Sequence, residues 1–514
     1  MHIFRSLALG TLASFLFPSV LLSAPSKRPH QSGPSNPTFQ PVTRPVYLDV
    51  TVLNSQGQPV VSGLTRKDFH LTEDGRPQQI SSFQAPSHPI GADSNAPATI
   101  IVLDLLNSGF GDFSYMRVAV RKFLMSQPAL LPAPVELFVL GNNSLKMPQG
   151  YTRDRNKLLQ ALNLLSVAVP YKKMSARFDW QRFYESVDAL DQIGLQNMGV
   201  PGHKILLWVG HGGPGIQLDV PQLSGPARNL LRGYAHKTIN LMVNSRITLY
   251  VIYPDLNLNG PDMSLSAQLA SVKLSAKDPF GDNIDFGIFT EATGGKLFYN
   301  RNDIAHLMTR AAAMGSEDYT LAYQPSANLD GGGFQHIQVT LDNHSDRPIT
   351  KAGYYAPSPK TLVNPQASMI SDLNEAASAT VPFTALHTRI KSLVRHPASS
   401  TLDMVVQLRD RDMSWRAGPN GKSQARIMIG AFSLDGMGKI VASHLISSTL
   451  STVFPSPAVR NAAVTSMPIT VRFPGSAQKV QIVAEDEDGG RLGTASLTRK
   501  AVEAAGTGPA PAAR

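Results

Sequence analysis

Four stretches of this chain are apolar at nearly every position: residues 99–103, 135–140, 204–209 and 247–253. A strand with one wet face alternates apolar and polar side chains. A run without that alternation belongs to a strand covered on both faces, as in a parallel sheet wrapped by helices. Helical patterns separate the runs at 115–124, 156–165, 183–193 and 229–243. Strands alternating with helices give an α/β domain with a doubly wound parallel sheet, placed here at residues 97–315. Near its end a helix at 288–292 stops at Gly294-Gly295. A short strand follows at 296–299, then a last helix at 304–314.

Both flanks of this block read as β-structure. Residues 47–54 alternate, 69–73 form a second strand, and Asp74-Gly75 is the dipeptide a tight hairpin requires. Residues 318–324 and 334–341 alternate again, and Gly353-Tyr354-Tyr355 closes a strand. Neither flank alone has enough strands to be stable. Joined, residues 46–90 and 316–357 make one small β-sandwich, with Leu48, Val50, Val52, Leu321, Tyr323, Ile337 and Val339 inside and the α/β domain inserted between its halves. Regularly spaced strands over 363–500 read as a second β-sandwich-like domain. The expected architecture is therefore multi-domain, α/β plus β.

The first 24 residues carry Arg5, an apolar run over 7–22 and Leu22-Ser23-Ala24 before Pro25. This is the pattern of an export signal cleaved after Ala24. Pro18 interrupts the run, and no other stretch is long and apolar enough for a membrane-spanning helix. Residues 25–45 and 504–514 read as disordered linker and tail. There is no cysteine, which excludes disulfides and thiolate metal sites. The net charge is +10, but Lys and Arg are spread along the chain, and the 7% aromatic content forms no stacking platform beside a basic stripe. Nucleic acid is therefore not an expected partner.

Several stretches carry a family likeness in a fixed order. They are Val52-Leu53-Asn54-Ser55-Gln56-Gly57-Gln58-Pro59-Val60, Gly63-Leu64-Thr65-Arg66-Lys67-Asp68-Phe69, Glu73-Asp74-Gly75, Leu103-Asp104-Leu105-Leu106-Asn107, Lys204-Ile205-Leu206-Leu207-Trp208-Val209, Ala292-Thr293-Gly294-Gly295-Lys296, Tyr319-Thr320-Leu321-Ala322-Tyr323 and Gly353-Tyr354-Tyr355. Over residues 47–355 the chain resembles the bacterial VWFA-related-domain proteins, an exported family mostly without assigned function. The resemblance implies a von Willebrand factor A-like (VWA) domain set into a β framework. It also implies that ligands meet the C-terminal end of the sheet, often through a cation held by an Asp-x-Ser-x-Ser loop with a Thr and an Asp from two other loops.

In this sequence the first loop reads Asp104-Leu105-Leu106-Asn107-Ser108. Asp104 and Ser108 fit, whereas Leu106 has no oxygen to offer a hard cation. The loop at 210–215 carries His211 and glycines, with no carboxylate before Asp219, and Ser175 is only a nominal stand-in for the Thr. The metal site is read as degenerate, with Asp104 and Ser108 its remnants and no cofactor expected. Asp104 is instead expected to accept backbone N–H groups in its turn. The His211-Gly212-Gly213 loop resembles an oxyanion loop, but no Gly-x-Ser-x-Gly elbow accompanies it. Gly421-Lys422-Ser423 lacks the spacing of a phosphate loop, and residues 485–489 lack the end ligands of a calcium loop and read as an exposed acidic turn. Asp278, Asp282 and Asp285 read as capping residues for the helix near Ile288.

The functional expectation is a non-enzymatic binding or scaffold protein, secreted or periplasmic, that meets a protein partner in the cell envelope. Its working loops are 107–112, 141–144, 211–215 and 254–259, with Asp104, Asn107, Ser108, Asp112, Asn142, His211 and Asp255 as candidate residues. The alternatives are an exported hydrolase with an unrecognised site and a metal-dependent adhesin. Protein recovered from its native cells is expected to begin near Pro25 by mass spectrometry. An intact Met1 terminus would contradict the export reading.

Overall fold

The computed structural model describes residues 45–86, 97–141, 144–165, 178–221, 223–253, 278–298, 303–315, 317–325, 333–356 and 365–506, without the side chains of residues 110 and 365. The expected signal and nearly all of the linker lie outside them. So do most of the tail and the candidates Asn142, Ser175 and Asp255. Among the described residues no helix is long and apolar enough to cross a membrane.

The chain enters through β1 (Val46–Leu53), whose alternation buries Leu48, Val50 and Val52. β2 (Phe69–Glu73) turns back into β3 (Arg76–Gln78) through Asp74 and Gly75. Their φ angles of +47° and +73° suit the right-handed twist of a two-residue hairpin. β4 (Ile80–Gln84) completes the first half.

The α/β block follows as β5 (Ala98–Asp104), α1 (Phe110–Met125), β6 (Leu130–Gly141), β7 (Ser144–Asp154), α2 (Arg155–Asn163), α3 (Asp179–Gln196), β8 (Lys204–Val209), β9 (Ile216–Gln217), α4 (Gly225–Asn244), β10 (Ile247–Ile252), β11 (Asn283–Ile284), α5 (Phe286–Ala292), β12 (Lys296–Phe298) and α6 (Ile304–Met314). Its sheet runs β12-β10-β8-β5-β6-β7, parallel except for β6 with β7; β9 and β11 form a separate short ladder. All seven residues of β5 are buried, which is what its unbroken apolar run requires. Ile100 and Val102 belong to the core that holds Leu190 of α3 and Ile239 of α4. Ile101 and Leu103 belong to the core that holds Phe113 and Val120 of α1 and Met308 of α6. Helices thus cover both faces. The edge strand β7 was not expected: Pro148 and Gly150 hide it in the sequence. They are tolerated because an edge strand pairs on one side only, here with repeated register shifts against β6.

The chain returns as β13 (Asp318–Tyr323), β14 (Phe334–Leu341), β15 (Arg347–Ile349) and β16 (Gly353–Tyr355). β13 lies antiparallel between β1 and β4, and β14 lies between β16 and β2. The strands before and after the α/β block therefore share two sheets. All seven expected inner residues are buried, and the rings of Phe69, Phe83 and Tyr319 cluster between the sheets with centroids 5.3–5.9 Å apart. The ends of the inserted block meet, since a Cβ on Gly315 would stand 3.5 Å from Pro97.

The C-terminal part opens with α7 (Pro365–Ser378), a helix inside the range read as β-rich. Met369, Ile370, Leu373, Ala376 and Ala377 recur at helical spacing, and this face packs into the core shared with α3. Glu375 pairs with Lys237 of α4. Just beyond the helix, the Thr380 hydroxyl donates to the Leu145 carbonyl of β7 at 2.7 Å.

β17 (Thr388–His396), β18 (Thr401–Arg409), β19 (Arg416–Ala417), β20 (Ser423–Leu434), β21 (Ile440–Thr452), α8 (Pro457–Ala462), β22 (Val464–Arg472), β23 (Lys479–Asp486), β24 (Leu492–Thr498) and α9 (Arg499–Glu503) follow. The sheets β17-β18-β22 and β19-β20-β23-β24, the latter with β21 also paired to β20, enclose Leu402, Met404, Val406, Ile427, Ile429 and Ile482. The acidic segment 485–489 is not an exposed turn. Asp486 is fully buried and accepts the Ser414 N–H at 2.9 Å, while Asp488 pairs with Arg416 and Arg426.

One buried carboxyl ties the two framework sheets together. Glu73 of β2 accepts hydrogen bonds from Tyr323 of β13 at 2.9 Å and Tyr354 of β16 at 2.6 Å. Glu73→Leu would remove the acceptor that both phenols share, leaving them only each other, and is expected to cost about 2–4 kcal/mol, read as a lower thermal midpoint. Adding Tyr323→Phe and Tyr354→Phe should recover part of the loss; full stability in the single variant would contradict the assignment.

Candidate functional site

β5 lies in the middle of its sheet, and its last residue, Asp104, sits at the C-terminal end of the parallel strands. The side chain is fully buried. A carboxyl without water must find donors, and Asp104 finds them on three elements. Asn107, in the turn before α1, donates its backbone N–H at 3.0 Å and its Nδ2 to both carboxyl oxygens at 3.1 Å. Trp208 of β8 donates Nε1 at 3.0 Å, and Gly212 in the following loop donates its N–H at 3.0 Å. Burial pushes the carboxyl above its ordinary range, and the bonds from Asn107 and Trp208 oppose that rise.

The same contacts explain the glycines of the 210–215 loop. A Cβ on Gly210, with φ +143°, would come within 2.5 Å of the Asp104 Cβ. One on Gly212, with φ +73°, would come within 2.8 Å of the Phe286 ring. The loop needs glycine because it closes directly over Asp104 and α5, and its Gly212 N–H is already committed to Asp104. Leu106, where a cation site would need a hydroxyl, is buried in the apolar core.

Asn107 also donates Nδ2 to Ser186 Oγ of α3 at 3.0 Å. Ser108 is fully buried, and its Oγ and the Asn107 Oδ1 have no hydrogen-bond partner among the described residues. Two neutral oxygens suit a water rather than a divalent cation. Asp104, Asn107 and Ser108 therefore lie behind the surface and cannot touch a partner directly.

Asp112 and His211 do reach the rim, with side chains 19% and 23% exposed. Asp112 accepts the Gly109 N–H at 3.0 Å at the start of α1. His211 lies 3.6 Å from Asp112 and stacks on Tyr253 with centroids 3.8 Å apart. Of the three aspartates before α5, only Asp285 caps it, accepting the Ile288 N–H at 3.0 Å. Asp278 instead accepts the Phe280 N–H and the Tyr355 hydroxyl. Burial raises its carboxyl, but the contacts with His236 and Tyr355 prevail and hold it at about 2.

Ser186 was not singled out in the sequence, and Trp208 and Gly212 were named there only within longer stretches, not as donors to Asp104. Trp208 had a usable signal, because a buried indole N–H needs an acceptor and its strand neighbours are all aliphatic except Lys204.

The residues present do not fit the cation that the resemblance implies. Both Asp104 oxygens are taken, position 106 offers no oxygen, and among the described residues no three metal-ligating side chains converge.

No family model matches the chain, and no curated protein does. Among solved structures it is similar to the SpRpn10 VWA domain, at 13% identity over 34% of this chain and 95% of that one, with a TM-score of 0.17. It is also similar to the human COPII-coat protein Sec24c, at 8% identity and a TM-score of 0.22. That match spans 55% of this chain and about half of the other, 47%.

A ligand cluster and a hydrogen-bond centre respond oppositely to deletion. Asp104→Ala is expected to cost about 3 kcal/mol or more in metal-free buffer, since the Trp208, Gly212 and Asn107 donors lose their acceptor. Added Mg²⁺ or EDTA should not move the wild-type thermal midpoint. An unchanged or more stable variant, or a midpoint raised by Mg²⁺ in the wild type alone, would contradict this assignment.

Proposed function

We propose that this chain is an exported, non-enzymatic binding or scaffold protein of the cell envelope. Its working part is a doubly wound, VWA-like domain of the VWFA-related kind, set in the two-sheet framework. It meets a protein partner at the C-terminal edge of the parallel sheet. The observation that carries the reading is the state of Asp104: the carboxyl that a cation-dependent relative would present outward is spent on Trp208, Gly212 and Asn107. What remains for recognition is the surface those bonds hold in place, with Asp112 and His211 on its rim.

The hydrolase alternative gains nothing from this geometry. Ser108 Oγ has no base beside it among the described residues, and Ser186 Oγ meets the Asn107 amide rather than a base. The adhesin alternative needs the cation that the Asp104 oxygens leave no room for.

Site-specific photo-crosslinking in native cells tests the proposal. A crosslinker at Asp112 is expected to give a discrete protein adduct. One at Val464, exposed on the C-terminal sandwich, should not. Adducts from Val464 alone, or from neither position, would contradict it.

A further inference from the structure

The opposite end of the parallel sheet meets the two-sheet framework, and the joint is built from charges. Arg246, between α4 and β10, donates to Asp49 of β1 through Nε at 3.1 Å and through Nη2, and to Thr320 Oγ1 of β13 at 3.1 Å. His203, just before β8, contacts Asp318 Oδ2 at 2.6 Å and Thr248 Oγ1 at 2.8 Å. Asp318 also accepts from Thr51. Lys204 Nζ donates to the carbonyls of Val200 and, at 2.9 Å, Ser245.

Two polar groups in this joint stand apart. Lys351 is only 9% exposed; its ammonium makes no hydrogen bond among the described residues and is not among the side-chain atoms sealed from solvent, so it opens onto water. The neighbouring Thr350 Oγ1 is buried and also unpartnered. Both line a cleft of about 20 Å³, together with Tyr47, Asp49, Arg246, Thr248 and Thr293. Tyr47 is 44% exposed, so the cleft is reached from solvent.

The charges do not balance. Arg246, His203, Lys204 and Lys351 stand against Asp49, Asp318 and, beside Lys204, Glu136 of β6. Of these four cations, Arg246, His203 and Lys204 have hydrogen-bond partners, and Lys351 has none among the described residues. A cation in so narrow a cleft keeps little of its hydration, which is costly, and an anion in the cleft would neutralise it. A water needs roughly 10–15 Å³ by the same measure of volume. The cleft therefore takes one or two small atoms, not a tetrahedral phosphate.

We propose that this cleft binds one small monoanion, a halide or the carboxylate end of a short acid, with the Lys351 ammonium and the Thr350 hydroxyl as donors. Asp49 and Arg246 form the fixed wall behind it. The site lies at the other end of the sheet from Asp104 and is independent of the partner-binding proposal.

Proton and anion are linked. Burial, with Arg246 adding to it and Asp49 opposing, brings the Lys351 amine down to about 7. The anion should therefore bind more tightly below that pH, and its affinity should weaken up to about tenfold per pH unit above it. The facing groups are Asp49, Asp318, His203, Lys204, Arg246 and Glu136. Asp49 is held at about 2, where burial, which raises it, is outweighed by His203 and Arg246, so it stays ionised throughout.

The test is reductive methylation of the full chain near neutral pH at constant ionic strength, with each lysine followed by mass spectrometry. Gluconate, too large for the cleft, is the balancing ion. Chloride, or formate and acetate, is expected to slow Lys351 at least roughly threefold once the anion exceeds twice its Kd, leaving other lysines unchanged. Protection by chloride alone assigns a halide, and protection by formate and acetate alone assigns a carboxylate; either supports the site. A Lys351 rate that ignores all three anions, as a cleft holding only water would give, overturns the proposal. So does equal protection by gluconate. The wild-type measurement decides even if Lys351→Met fails to fold; if that variant folds, it should lose any rise in thermal midpoint that the anion gives the wild type.

Discussion

A carboxyl sealed from water at the end of a central strand must be answered by donors from the elements around it, and Asp104 is answered by three. Its bond to Trp208 joins neighbouring strands β5 and β8. Its bond to Gly212 sets the path of the loop above, and its bonds to Asn107 set the turn into α1. Through Asn107 the set reaches Ser186 on α3. The edge of the sheet that could meet a partner is therefore shaped from beneath, by a group that never reaches the surface.

The same economy governs the other end of the block. An inserted domain has both its ends at one place, and here that place is the charged joint between the sheet and its framework. The close approach is backbone on backbone: Ala352 donates its N–H to the Ala292 carbonyl at 3.0 Å, and a Cβ on Gly294 would fall 2.6 Å from the Thr350 carbonyl carbon. Gly294, with φ +81°, is thus required twice, for its conformation and for the room it leaves. Residues 350 and 351 are held there, which is how Lys351 comes to line the narrow cleft beside Asp49 and Arg246.

Much of the architecture was legible because it rests on periodicity. The unbroken apolar runs mark β5, β8 and β10, and the alternation in β1, β13 and β14 foretells their shared inner face. What stayed hidden depended on context. β7 contains Pro148 and Gly150, which only an edge position excuses. α7 carries a helical pattern among strands and was read with its surroundings. The segment 485–489 looked solvated because its arginine partners, Arg416 and Arg426, lie some sixty to seventy residues away in sequence. At the site, the missing hydroxyl at Leu106 was visible in the sequence, and so was the turn-capping role of Asp104. The burial of Asn107 and Ser108 was not, because it depends on α3 and the 210–215 loop closing over them.

The central claim is that Asp104 is an internal hydrogen-bond acceptor and not a cation ligand. A crystal structure of the protein grown in millimolar Mn²⁺, with anomalous data collected, tests it most directly. The account predicts no anomalous peak at the end of β5, with the Asp104 oxygens within hydrogen-bond distance of Trp208 Nε1 and the Gly212 N–H. A peak at about 2.1 Å from Asp104, with Trp208 turned away, would contradict it.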